Sequence, residues 1–119
     1  MSTIVAVNGK IETSDYWPEG TPAGYDVSFE DEDGTAYTPA STIAAKVYSR
    51  PGSLIETLAS LTAATSVEVT TGGSANVIGA YGQERVIFLE WTAVTTRYPA
   101  PGITQRCEIH YSITDLVGA

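Results

Sequence analysis

A chain of 119 residues with 43% hydrophobic and 17% charged side chains has the size of one domain, with room for a core that needs neither disulfide nor metal. Its net charge of −8 is lopsided: residues 1–40 hold eight acidic side chains against Lys10 alone, and the rest is near balance. Such a field repels phosphate backbones and argues against nucleic-acid binding. A lone cysteine, Cys107, excludes an internal disulfide and Cys₂ or Cys₄ zinc sites.

The opening "MSTIVAVNGK" lacks the basic and long apolar regions of a signal peptide, and no run approaches ~18 apolar residues. Synthesis in the cytoplasm with no membrane span is the expectation. "STIVAVNGKIETS" reads as two short strands around an Asn8-Gly9 hairpin turn. "DYWPEGTPAGY" reads as a loop, punctuated by Pro18, Gly20, Pro22 and Gly24. Trp17 within it is either an exposed anchor for a partner or, more commonly for such a residue, a cover over the core edge.

"YDVSF" alternates strictly, with Tyr25, Val27 and Phe29 on one face. The following Glu30, Asp31, Glu32 and Asp33 run into Gly34 and suggest a hairpin corner in which Asp33-Gly34 supplies positive-φ positions. "TIAAKVYSR" is a further strand stopped by Pro51-Gly52. Residues 53–63 are ambiguous: Ser53 and Glu56 have capping-box spacing, and Leu54, Leu58 and Leu61 fall at helical intervals. Strand-like neighbours on both sides favour a strand there. "SVEVTT" alternates again, and "GGSANVIGAYGQE" is a glycine-rich connection with room for one short strand. "RVIFLEWTAV" is apolar on both faces, with Val86, Phe88 and Val94 on one and Ile87, Leu89 and Trp91 on the other, as in a central or covered strand. After the "RYPAPG" turn the closing strand sets Cys107, Ile109, Tyr111 and Ile113 against Arg106, Glu108, His110, Ser112 and Thr114. The pattern predicts an all-β, single-domain (1–119), two-sheet antiparallel sandwich of seven or eight short strands, with a short helix at 53–63 as the variant.

Chemistry finds little purchase. An EF-hand register that puts Gly34 at the sixth loop position puts Phe29 at the first, where a carboxylate belongs. Acids crowded into one exposed turn lack the opposed geometry of paired-carboxylate hydrolysis. Glu90, on an apolar strand, is expected to pair with Arg85, Arg97 or Arg106. Cys107 and His110, three apart in a strand, point to opposite faces and form no dyad. No Gly-x-Ser-x-Gly elbow and no phosphate-binding glycine motif occurs. No cofactor and no enzymatic activity are expected.

Three stretches carry a resemblance. "YDVSFEDEDGTAYTPASTIAAKVYSRPGSLIETL" pairs an alternating strand and DG turn with a second strand and a PG hairpin. "GQERVIFLEWTAV" sets Glu-Arg before a long apolar strand, and "RCEIHYSITDLV" closes with an aromatic and Asp-Leu. Over residues 25 to 117 the chain resembles the small immunoglobulin-like β-sandwich structural proteins of tailed-phage virions. It departs from antibody-type domains, whose Cys…Trp…Cys framework is replaced by Trp91 followed by a single Cys107. The resemblance implies a virion component of neck, head surface, tail or baseplate. It would act by homo-oligomerisation and by docking to another virion protein, and no catalytic residue carries over. Contact residues are expected at the N-terminal segment with Tyr16 and Trp17, at Tyr98 and Pro99, and at Glu30, Asp31, Glu32 and Asp33. A basic protein surface facing residues 1–40 would complement their charge, unless that charge serves solubility alone. The alternative is an immunoglobulin-like ligand-binding module for carbohydrate or a cell-surface target. It would need Tyr16, Trp17, Tyr81 and Tyr98 clustered at one end.

Overall fold

The computed structural model describes residues 2–6, 9–31, 33–50 and 52–114. Its strands are β1 (Ser2–Ala6), β2 (Gly9–Pro18), β3 (Gly24–Phe29), β4 (Ala44–Ser49), β5 (Leu54–Thr57), β6 (Ser66–Thr70), β7 (Glu84–Ala93) and β8 (Ile103–Thr114). They form a three-stranded sheet ordered β1-β3-β6 and a five-stranded sheet ordered β2-β8-β7-β4-β5. The chain is an all-β two-sheet sandwich.

Period-2 patterning decides which faces meet. Tyr25, Val27 and Phe29 of β3 are fully buried against Ile87, Leu89 and Trp91 of β7 and Cys107, Ile109 and Ile113 of β8. Aromatic rings bridge the sheets: Phe29 meets Trp91 edge-on with centroids 5.0 Å apart, and Tyr25 lies 6.2 Å from Tyr111. Burying each large side chain contributes ~2–3 kcal/mol. Trp91 keeps its polar atom satisfied by donating Nε1–H to Tyr37 Oη at 2.8 Å.

Pairing is antiparallel at β3–β6, β4–β5, β4–β7 and β7–β8, but β1 adds parallel to β3 and β2 parallel to β8. The expected β1–β2 hairpin is therefore corrected: the two strands belong to different sheets, and Asn8 lies outside the described residues. Each strand takes an edge where its alternate side chains reach the common core, Ile4 and Ala6 from one sheet and Ile11 from the other. β2 also runs on through Trp17 and Pro18, where a loop was expected. Proline at a strand's last residue on a sheet edge removes no needed ladder bond.

Residues 53–63 form no helix. Leu58 N–H donates to Ala45 O, and Leu61 and Ile43 exchange both backbone bonds, each at 2.9 Å. With those groups committed to β4 and the residues just before it, no helical ladder can form. The glycine-rich stretch after β6 contains two 3₁₀ turns, Gly73–Asn76 and Gly79–Tyr81, in place of the short strand allowed for it. It seals one end of the sandwich. Asn76 is fully buried, donates Nδ2–H to Thr21 O (2.7 Å) and Thr71 Oγ1 (3.2 Å), and accepts from Tyr111 Oη at 2.7 Å. A Cβ on Gly73 would sit 2.6 Å from Gly20 O, so only glycine lets the 19–22 loop close over this seal.

Arg85 completes it. The residue is in phase with Ile87, Leu89 and Trp91, and so enters the core end of β7 fully buried. Its guanidinium donates Nε–H to Ala75 O (2.8 Å), Nη2–H to Val77 O (2.9 Å) and Nη1–H to Tyr81 O (3.3 Å), Gly82 O (2.7 Å) and Glu84 O (2.9 Å). One side chain thus serves five backbone carbonyls between Ala75 and Glu84.

Candidate functional site

The acidic corner is a self-contained turn. Glu30 bridges antiparallel to Ala36, Gly34 N–H donates to Asp31 O at 3.0 Å, and Gly34 holds φ of +81°. Glycine alone takes the positive-φ position: Asp33 does not, which corrects the shared Asp33-Gly34 reading. Asp31 Oδ1 accepts from Asp33 N–H (2.9 Å) and Thr35 N–H (3.0 Å), so this carboxylate is spent on its own backbone. Glu32 lies outside the described residues. Among the described residues no cluster of three His, Cys, Asp or Glu side chains could hold a metal. Asp31→Ala should lower stability by about 1 kcal/mol in urea unfolding, while millimolar calcium leaves the wild-type midpoint unmoved.

The aromatic candidates separate. Trp17 turns inward, donating Nε1–H to Tyr25 Oη at 3.1 Å with the rings edge-on at 5.8 Å, so it covers the core edge. Tyr16, its neighbour, is 70% exposed and pairs with Ser112, which faces Glu84 at the start of β7. Tyr98 and Pro99 lie beyond Ala93 at the other end of that strand, about 30 Å away. Their turn is closed by Thr95 N–H to Tyr98 O (3.0 Å) and Gly102 N–H to Pro99 O (2.9 Å), with Tyr98 half-buried and Pro99 exposed. Tyr16, Trp17, Tyr81 and Tyr98 do not form one aromatic platform.

Cys107 and His110 diverge as their spacing requires. Cys107 faces the core, where burial pushes its thiol up to about 12. Glu90 pairs with Arg106 at 2.7 Å, one of the three partners expected for it, and Arg85 is bound instead by the carbonyls named above.

The concave feature that strand patterning did not reveal lies on the outer face of the five-stranded sheet, a cleft of about 740 Å³. Its floor is Tyr48 of β4 with Val86 and Phe88 of β7, the Tyr48 and Phe88 rings meeting edge-on at 6.3 Å. Arg50 and Glu84 stand at one end, 3.7 Å apart, and Glu108 and His110 of β8 form the wall. His110 is only 6% exposed. Its Nε2 lies 2.9 Å from Glu108 Oε1, and its buried Nδ1 has no hydrogen-bond partner, with Glu12 Oε1 of β2 at 4.0 Å. In the neutral ring the proton sits on Nε2 towards Glu108, leaving Nδ1 a bare acceptor. The Lys10 ammonium, hydrogen-bonded to Glu12 across 3.1 Å, holds that carboxyl below its ordinary value. One signal for the cleft was present in the sequence: Val86 and Phe88 give β7 a second apolar face. Among the described residues no second layer covers that face of the central strand.

No protein-family model, no curated protein and no solved structure matches the chain.

Proposed function

We propose that this chain is a non-enzymatic structural module of a tailed-phage virion, immunoglobulin-like in plan, that associates with copies of itself and docks on a basic neighbouring virion protein. The observation that carries this reading is β2. It is a ten-residue strand at the open edge of the larger sheet, and Tyr16 stands 70% exposed on it. Unpaired edge backbone beside an exposed aromatic is the material of strand addition between chains. Further support comes from the strand order. β3 and β6 face β4, β7 and β8, the partition of the B and E strands against C, F and G in immunoglobulin-like sandwiches. The sole cysteine and sole histidine also lie on opposite faces of β8, one in the core and one on the outer wall.

Sedimentation equilibrium tests the reading. Wild type should self-associate at high micromolar concentration, and Tyr16→Glu should weaken that association by about tenfold, the loss of one aromatic contact at an edge. A strictly monomeric protein at millimolar concentration would overturn the assembly role.

A further inference from the structure

We propose that the cleft on the outer face of the five-stranded sheet is where the basic partner docks, receiving an extended segment whose cationic side chains stand four residues apart. The proposal deepens the reading above and takes from it only that a basic partner exists.

The cleft's free hydrogen-bonding capacity is mostly acceptor. Glu84 and Glu108 offer carboxylate oxygens, with more than 40% of each side chain in water. Tyr48 and Val86 lie between them and Phe88 stands across from Glu108, an aromatic and apolar floor that favours a cation over an anion. Arg50 is the cationic member of the wall, and its contact with Glu84 is a loose 3.7 Å that an incoming guanidinium can replace.

Spacing defines the ligand. Glu84 pairs across from Ser112, and Glu108 across from Phe88, so the two carboxylates lie four residues apart along the strands, about 13 Å. In an extended segment, side chains at i and i+4 share a face and span that same distance, with residue i+2 set over the aromatic floor. A helix would need about nine residues to cover it.

The probe is the blocked peptide Gly-Arg-Thr-Val-Thr-Arg-Gly, titrated into isotope-labelled full-length protein and followed by amide chemical shifts. Shifts should concentrate on β4, β7 and β8 around the cleft. Peptides with adjacent arginines, or with glutamates in place of the arginines, should bind at least about tenfold more weakly. Glu84→Gln with Glu108→Gln, which preserves side-chain shape, should weaken the arginine peptide by about tenfold or more and leave circular dichroism and thermal unfolding unchanged. Equal binding of both arginine peptides, or shifts centred on residues 30–36, would overturn the proposal. If the peptide fails to bind a protein that self-associates, the cleft assignment falls and the assembly reading stands. Binding by a protein that stays monomeric sustains the cleft and removes self-association.

Discussion

Arg85→Ala should cost about 4 kcal/mol of stability and lower the melting temperature by about 15 °C. The wild-type guanidinium serves five backbone carbonyls between Ala75 and Glu84 at a site with no solvent exposure. Truncation leaves those oxygens facing an apolar core end, and each buried acceptor without a donor costs about 1–3 kcal/mol unless water enters to serve it. Burial draws the Arg85 guanidinium below its ordinary value, yet arginine has ample margin to stay charged. Arg85→Lys should recover less than half the loss. An ammonium has three donors on a point charge and cannot span carbonyls spread along ten residues. Urea and thermal unfolding of the three proteins measure this directly. A loss below about 1 kcal/mol for Arg85→Ala would mean that the connection holds its shape without the guanidinium.

Alkali should unfold the protein, and the onset should belong to one residue. In the folded chain the Cys107 thiol is pushed up to about 12, chiefly by burial, and the hydroxyls of Tyr25 and Tyr111 are also raised by burial. In the unfolded chain the thiol titrates near ~8.5 and tyrosine near ~10. The sign follows: an acid protonated more tightly in the fold contributes stability that is intact below its unfolded value. That contribution drains as pH climbs toward the folded value. Stability should be flat to about pH 8.5, then fall by about 1.4 kcal/mol per pH unit on account of Cys107, and steepen above about pH 10 as the tyrosines join. Urea midpoints between pH 7 and 11 give the profile. Cys107→Ala should be less stable by about 1 kcal/mol below about pH 8.5 but flat to about pH 10, so that its profile crosses that of wild type at about pH 9. A wild-type profile with no break before pH 10 would place the thiol in contact with solvent.

The faces of β3, β7 and β8 were legible because alternation names inward residues without reference to partners: Tyr25, Val27, Phe29, Leu89, Trp91 and Ile109 are all buried. Pairing was not legible. A two-residue period says which side of a strand is apolar and nothing about which neighbour it takes, so Ile4 and Ile11 look like two arms of one hairpin although they serve opposite sheets. Arg85 hid in plain view: its phase with Ile87 and Leu89 pointed inward, but only the carbonyls of residues 75–84, spread over two 3₁₀ turns, make that position tolerable. The cleft fared similarly. Tyr48, Phe88 and His110 come from three strands, and the register that aligns them is a tertiary fact.

Thr13 Oγ1 donates to His110 O at 2.7 Å across 97 residues of chain. During synthesis β2 must therefore wait for β8, the last strand of the sandwich, before its ladder can form. A nascent edge left open that long invites pairing with the wrong neighbour. Closing the larger sheet is thus a late step, held back until the chain is long enough for its N-terminal latch to meet the strand that receives it.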